Sequence, residues 1–150
     1  MEGEFNIREV YGSDVKTAMQ ELDVACRNTI SQNIDEWDLY IEKLIKYACN
    51  YVAEDSTGLI IGFIAFYAND VSSRMAYITQ VIVHPQFRRR GLGHALVKKC
   101  FIEVQRIGMN KVRLEVACDN VKAFSLYKDL GFIVESEKAH SKYMIVDLYN

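Results

Sequence analysis

Val81-Ile82-Val83-His84-Pro85-Gln86-Phe87-Arg88-Arg89-Arg90-Gly91-Leu92-Gly93-His94-Ala95-Leu96-Val97-Lys98-Lys99-Cys100 changes conformational character twice. Val81 to Val83 is an apolar, β-branched run that stops at Pro85, whose ring fixes φ and which has no N–H for a sheet ladder. A basic turn follows, Arg88-Arg89-Arg90-Gly91-Leu92-Gly93. Leu92, Leu96 and Val97, with Cys100 and Phe101, then recur at helical spacing. The order is strand, anion-cradling loop, helix. Gly91 and Gly93 let the main chain approach a ligand closely, and the first turn of the helix aims unpaired N–H groups and its positive dipole end at the same place. Three arginines beside those amides make a pyrophosphate the fitting guest. Neither the P-loop pattern nor the Rossmann glycine fingerprint is present.

The composition bounds what such a loop can serve. A chain of 150 residues, half hydrophobic and a quarter charged with one proline, is expected to fold as one domain over 1–150. A formal charge of −2 speaks against a general nucleic-acid binder, so Arg88–Arg90 is a local patch. The four cysteines, Cys26, Cys49, Cys100 and Cys118, match no zinc spacing, and no metal is expected. Met1-Glu2-Gly3-Glu4 is acidic and unlike a signal peptide. No apolar run approaches the roughly 18 residues of a membrane span. The expected setting is cytoplasmic, without a membrane or nucleic-acid partner.

Upstream, Phe5 to Val10 alternates as an edge strand. Ser13 and Asp14 offer an N-cap to a helix carrying Val15, Ala18, Met19, Leu22 and Ala25. Trp37, Leu39, Tyr40, Leu44 and Ile45 form a second helix, widened by Ile41 and Tyr47. Residues 28 to 40, polar and aromatic between these helices, are where specificity is expected to sit. Tyr51 to Glu54 and Leu59 to Tyr67 read as strands joined by Asp55-Ser56-Thr57-Gly58, with Asn69 to Arg74 as the next turn. Met75 to Val83 is then a long strand, with Ala76, Ile78 and Gln80 on one face and Tyr77, Thr79 and Val81 on the other.

Downstream, Gly108 suits the C-cap of the helix after the basic loop. Lys111 to Ala117 is a strand that the intervening helix places parallel to residues 75–83, by a right-handed crossover. Asp119 or Asn120 caps a helix bearing Ala123, Leu126, Tyr127 and Leu130. Phe132 to Glu135 and Tyr143 to Leu148 close the sheet as a hairpin. The result is a mixed α/β domain ordered β–α–α–β–β–β–α–β–α–β–β.

Arg88-x-x-Gly91-x-Gly93 after a strand ending Val-His-Pro resembles the coenzyme A-binding motif of the GCN5-related N-acetyltransferase (GNAT) superfamily. A second segment is similar to that superfamily's C-terminal motif: Leu114-Glu115-Val116, then Asn120, Ala123, Leu126-Tyr127 and Gly131-Phe132. The two motifs cover about residues 75 to 133, and the element order extends the likeness to the whole chain. The resemblance implies the acyl-CoA N-acyltransferase fold, a mostly antiparallel sheet with one splayed parallel strand pair, flanked by four helices. It also implies acetyl-CoA as acyl donor and a primary amine as acceptor. Family members often dimerise, so a homodimer is one state the resemblance allows.

The same resemblance assigns roles. The pyrophosphate falls to Arg88, Arg89, Arg90, Gly91, Leu92, Gly93 and His94, chiefly through main-chain amides. The main chain of Val81, Ile82 and Val83 would bind the pantetheine and the acetyl oxygen, as an oxyanion hole in which loss of one donor costs about a hundredfold. Tyr127 would protonate the leaving thiolate, since a phenol with a pKa of about 10 is still a donor at neutral pH; packing or cofactor holding is the other role open to it. Asn120 would contact the cofactor, cap its helix, or both. Glu115 matches the glutamate that deprotonates the amine in protein N-terminal acetyltransferases, or else pairs with Arg113. An α-amine is already roughly a tenth neutral at pH 7 and a lysine only about one part in 2,500, so a lysine-like acceptor needs the base far more.

The acceptor favoured by these observations is a small-molecule amine. A protein N-terminus or lysine is the alternative, and a non-catalytic acyl-CoA-binding module is a reading of another class.

Overall fold

A computed structural model describes residues 4–149; Met1-Glu2-Gly3 of the acidic start lies outside them. The chain runs β1 (Asn6–Glu9), α1 (Ser13–Ala25), α2 (Thr29–Gln32), α3 (Trp37–Tyr47), β2 (Cys49–Glu54), β3 (Ile60–Asp70), β4 (Met75–Val83), a 3-10 turn (Pro85–Phe87), α4 (Leu92–Ile107), β5 (Lys111–Ala117), α5 (Val121–Asp129), β6 (Ile133–Glu137) and β7 (Ser141–Asp147). Seven strands form one sheet in the order β1-β2-β3-β4-β5-β7-β6. Its only parallel pair among the described residues is β4–β5. The mixed sheet with one parallel pair is thus as expected, and the four expected helices are joined by the one-turn α2. Among the described residues no helix is long and apolar enough to cross a membrane.

Each face of the sheet buries its own apolar cluster. On one side Val15, Met19 and Leu22 of α1 and Ile41 and Leu44 of α3 pack over Val52, Phe63, Ala65 and Ile82. On the other, Leu96, Val97, Cys100 and Val104 of α4 and Tyr127 of α5 pack over Ile64, Phe66, Ala76, Ile78 and Leu114. Gly62 lets α4 press onto β3, because a Cβ there would stand 3.1 Å from Leu96. The apolar positions expected on α3 do not all face the sheet. Leu39 and Tyr47 are 57% and 52% exposed, whereas Ile41 and Leu44 are buried and Trp37 and Tyr40 pack partly buried beside them.

Helix ends correct the sequence reading once and agree with it twice. Ser13 is already inside α1, whose cap is Gly12 at φ 54 with no side-chain cap bond. Gly108 ends α4 at φ 107, a left-handed conformation that favours glycine. Asn120 caps α5 by accepting from the Ala123 N–H at 3.2 Å.

The expected alternation along β4 fails at one point, and the failure matters. Gln80 pairs with Ala65 and Ile78 with Phe66, so Thr79 has no opposite residue in β3. One extra residue reverses the facing of everything beyond it. Val81 and Val83 therefore join Ala76 and Ile78 over α4 and α5, and Ile82 turns into the opposite cluster.

Leu96 has no solvent exposure and spans from α4 to the β3 glycine. Leu96→Ala is expected to lower unfolding stability by about 2–5 kcal/mol, read as a shift in urea midpoint at unchanged slope.

Candidate active site

β4 and β5 are hydrogen-bonded from Met75↔Lys111 to Ile78↔Leu114 and no further. Beyond that point β5 goes on with β7 through Ala117↔Ser141, while β4 goes on with β3 through Val83↔Gly62. The two strands splay. A gap of about 160 Å³ opens between them, lined by Thr79, Gln80, Val81, Glu115, Val116, Ala117 and Tyr127.

Main-chain donors face that gap. His84 N–H bonds to Ile61 in the β3 ladder at 2.8 Å, and N–H groups alternate in direction along a strand. Ile82 therefore points its amide at β3, like His84, whereas Val81 and Val83 aim theirs toward the space that β5 has left. Of the three strand residues expected to bind pantetheine, the geometry brings together Val81 and Val83 and sets Ile82 apart.

A groove of about 730 Å³ lies on the α4–α5 side of the gap. Its lining includes Val81, Val83, Arg88, Arg89, Gly91, Leu92, Gly93, His94, Asn120 and Tyr127. Gly91 is the left-handed cap of α4, at φ 76. Gly93 serves differently from the expected close approach to a ligand. A Cβ there would meet Leu126 Cδ2 at 3.1 Å, so its bare backbone is what lets α4 seat against α5. Arg90 is not part of the lining; its guanidinium sits over the Phe87 ring, 5.2 Å from the centroid. His94 Nε2 stands 3.6 Å from Asp129 Oδ2 across the two helices. Lys122 and Ser125, for which the sequence carried no signal beyond helical spacing, also line the groove.

Tyr127 belongs to both the groove and the gap. It is 8% exposed and packs edge-on against Phe132 with ring centroids 5.6 Å apart. Burial pushes its phenol up to about 12, because a phenolate would lose hydration there. At neutral pH the group is a proton donor held in a mostly dry wall.

On the opposite side of the gap a cavity of about 400 Å³ is lined by Ile34, Tyr40, Tyr77, Thr79, Gln80, Glu115 and Ser141. The Tyr40 and Thr79 hydroxyls share a hydrogen bond of 2.9 Å, which ties α3 to the bulge. Glu115 accepts from Ser141 Oγ at 2.5 Å. It does not pair with Arg113, whose guanidinium instead meets Glu135 of β6 at 2.8 Å. Its charge still reaches Tyr77, whose phenol is pushed up to about 12, first by burial and then by Glu115. Neither Tyr40 nor Ser141 stood out in the sequence, since their partners lie 39 and 26 residues away. A second cavity of about 410 Å³, with Lys43, Tyr47, Tyr67, Asn69 and Arg113, shares Tyr77 as a wall.

The model of the acetyltransferase (GNAT) family matches residues 16–132. An uncharacterised N-acetyltransferase of Methanocaldococcus jannaschii is 37% identical over 79 residues, 50% of this chain and 35% of that protein. The ribosomal protein bS18-alanine N-acetyltransferase of Escherichia coli K12 is 35% identical over 68 residues, 45% of this chain and 46% of that one. The match thus spans less than half the length of either relative. An acetyltransferase of the GNAT family from Staphylococcus aureus superposes with a TM-score of 0.80 at 16% identity, over 97% of this chain and 99% of that one, and so shares its fold.

Removing the α5 cap isolates one element of the site. Asn120→Ala is expected to cost about 1 kcal/mol, seen as a lower thermal midpoint, because the Ala123 amide loses its partner.

Proposed function

The chain belongs to the GNAT family of acetyltransferases, and from that premise we propose that it transfers the acetyl group of acetyl-CoA to a primary amine by direct attack in a ternary complex. The observation that carries this reading is the splay. One opening between β4 and β5 joins a groove with helix-end amides and arginines to a separate cavity with a carboxylate. A donor and an acceptor can therefore meet in the plane of the sheet from opposite sides.

The site residues then divide the work. Amides from Arg89 to Gly93, at the N-terminus of α4, hold the pyrophosphate, with Arg88 and Arg89 adding charge. Val81 and Val83 amides hold the pantetheine arm and the carbonyl oxygen as it becomes an oxyanion. The amine nitrogen forms its bond to the carbonyl carbon, the C–S bond breaks, and Tyr127 gives its proton to the departing sulfur. The proton lost by the amine passes to Glu115, directly or through water, while Ser141 fixes the carboxylate.

For the acceptor, the 400 Å³ cavity lies within the range of small-ligand sites, roughly 300–1,000 Å³, and supports a small-molecule amine. A peptide α-amine is the second reading. It is favoured by the adjoining cavity beyond Tyr77, into which a chain could extend, and by the likeness to a protein that acetylates an alanine of bS18.

Free-thiol release from acetyl-CoA against small amines, peptides and lysine analogues tests the proposal. Tyr127→Phe is expected to lower kcat about 100-fold or more while cofactor binding is kept. A phenol raised to about 12 stays protonated as pH climbs, so Tyr127 should impose no alkaline fall in kcat below about pH 10. Glu115→Gln should hurt lysine-like amines more than α-amines, because fewer of them are neutral. Tight acetyl-CoA binding with no turnover on any amine would favour a binding module instead.

A further inference from the structure

Asp23 of α1 carries a carboxylate that the chemistry above does not use, and it is 7% exposed. Its Oδ1 accepts from two main-chain amides of α2, Ile30 N–H at 3.1 Å and Ser31 N–H at 2.9 Å. Its own carbonyl accepts from Asn28 N–H at 2.7 Å. The segment it grips is bent against its preferences, with Arg27 at φ 58, Asn28 at φ 62 and Glu36 at φ 53. Left-handed non-glycine residues persist only where surrounding contacts hold them. A one-turn helix is not stable by itself, so α2 depends on such a hold.

The grip passes directly to the acceptor side. Ser31 C=O accepts from Ile34 N–H at 3.3 Å, and Ile30 C=O accepts from Asn33 N–H at 3.1 Å. Ile34 is the residue of this segment that lines the acceptor cavity, across from Tyr40, Tyr77 and Glu115. We propose that Asp23 is a positioning residue for acceptor selection: through Ile30, Ser31 and Ile34 it sets the wall of the amine cavity that this segment supplies, and with it the fit of the acceptor. This rests on the acetyl-transfer reading for its kinetic consequence, but the hold on α2 is a property of the chain alone.

The physical logic is that a charged acceptor makes stronger hydrogen bonds than a neutral one, and losing it leaves two part-buried amides without partners. The groove for acetyl-CoA, by contrast, contains no residue of α1 or α2. Loss of Asp23 should therefore divide the two substrates.

The test compares wild type with Asp23→Ala, Asp23→Asn and Ile34→Ala in two ways. In steady-state kinetics Asp23→Ala should raise KM for the amine about tenfold and leave that for acetyl-CoA within about twofold. Asp23→Asn, which keeps an oxygen able to accept both amides, should recover most of the loss. Ile34→Ala should repeat the amine effect with intact folding. In amide hydrogen exchange on the full chain, Asp23→Ala should speed exchange at residues 28–34 and leave β4 unchanged. Equal rises in both KM values, or a lower thermal midpoint with the amine KM unmoved, would overturn the proposal. So would unchanged exchange at 28–34. A wild type that acetylates no amine would count against the proposed activity, and the exchange arm would still decide whether Asp23 holds the wall.

Discussion

A single unpaired residue, Thr79, governs most of what lies around it. Had β4 continued in register with β3, Val81 would face α1 and α3, and β5 would have no reason to part from β4. The extra residue reverses the strand instead, and the parallel ladder ends one residue before it, at Ile78. Val81 and Val83 are left with amides that no strand satisfies. Unpaired buried donors are costly, and a sheet tolerates them where water or a ligand can take their place. The bulge is itself held by the Tyr40 hydroxyl on Thr79, which links the helix over the acceptor cavity to the strand that opens it.

Around that opening the two helices on the other face set the chemistry. The missing side chain of Gly93 brings α4 against Leu126 of α5, so that the positive end of one helix and the Tyr127 wall of the other border one groove. Asn120 both caps α5 and lines the groove, so one side chain serves the helix and borders the opening. Tyr127 owes its raised pKa to the same packing, because Phe132 and the α5 core exclude water from the phenol. Electrostatics thus differ across the sheet. The groove collects cationic and N–H groups, whereas the acceptor cavity presents the Glu115 carboxylate.

What the sequence disclosed, it disclosed through residues with strong local rules. Pro85 marked the end of β4, Gly91 the turn into α4 and Gly108 its end, and each is where those rules place it. The helix between residues 83 and 111 then carried the parallel pairing, and the family motifs agreed with the order of elements. The bulge was hidden because Tyr77-Ile78-Thr79-Gln80-Val81 keeps a plausible alternation right through it, and only pairing with β3 reveals the extra residue. Glu115 and Arg113 looked like partners two positions apart on one strand, yet Glu115 meets Ser141 of the adjoining β7, and Arg113 reaches past β7 to Glu135, which the β6–β7 register skips. Arg90 reads as one of three equal arginines until the Phe87 ring claims it. The hold of Asp23 on α2 has no local signal, since nothing in α1 announces that the chain doubles back over it.

Residue-resolved amide hydrogen exchange with and without acetyl-CoA tests the opening between β4 and β5 most directly. New protection is expected at Val81, at Val83 and across residues 89–93, with Ile82 already slow in the free protein because its amide belongs to the β3 ladder. Protection confined to other surfaces, or Val81 and Val83 unchanged under saturating acetyl-CoA, would contradict the claim that the splay between β4 and β5 receives the donor.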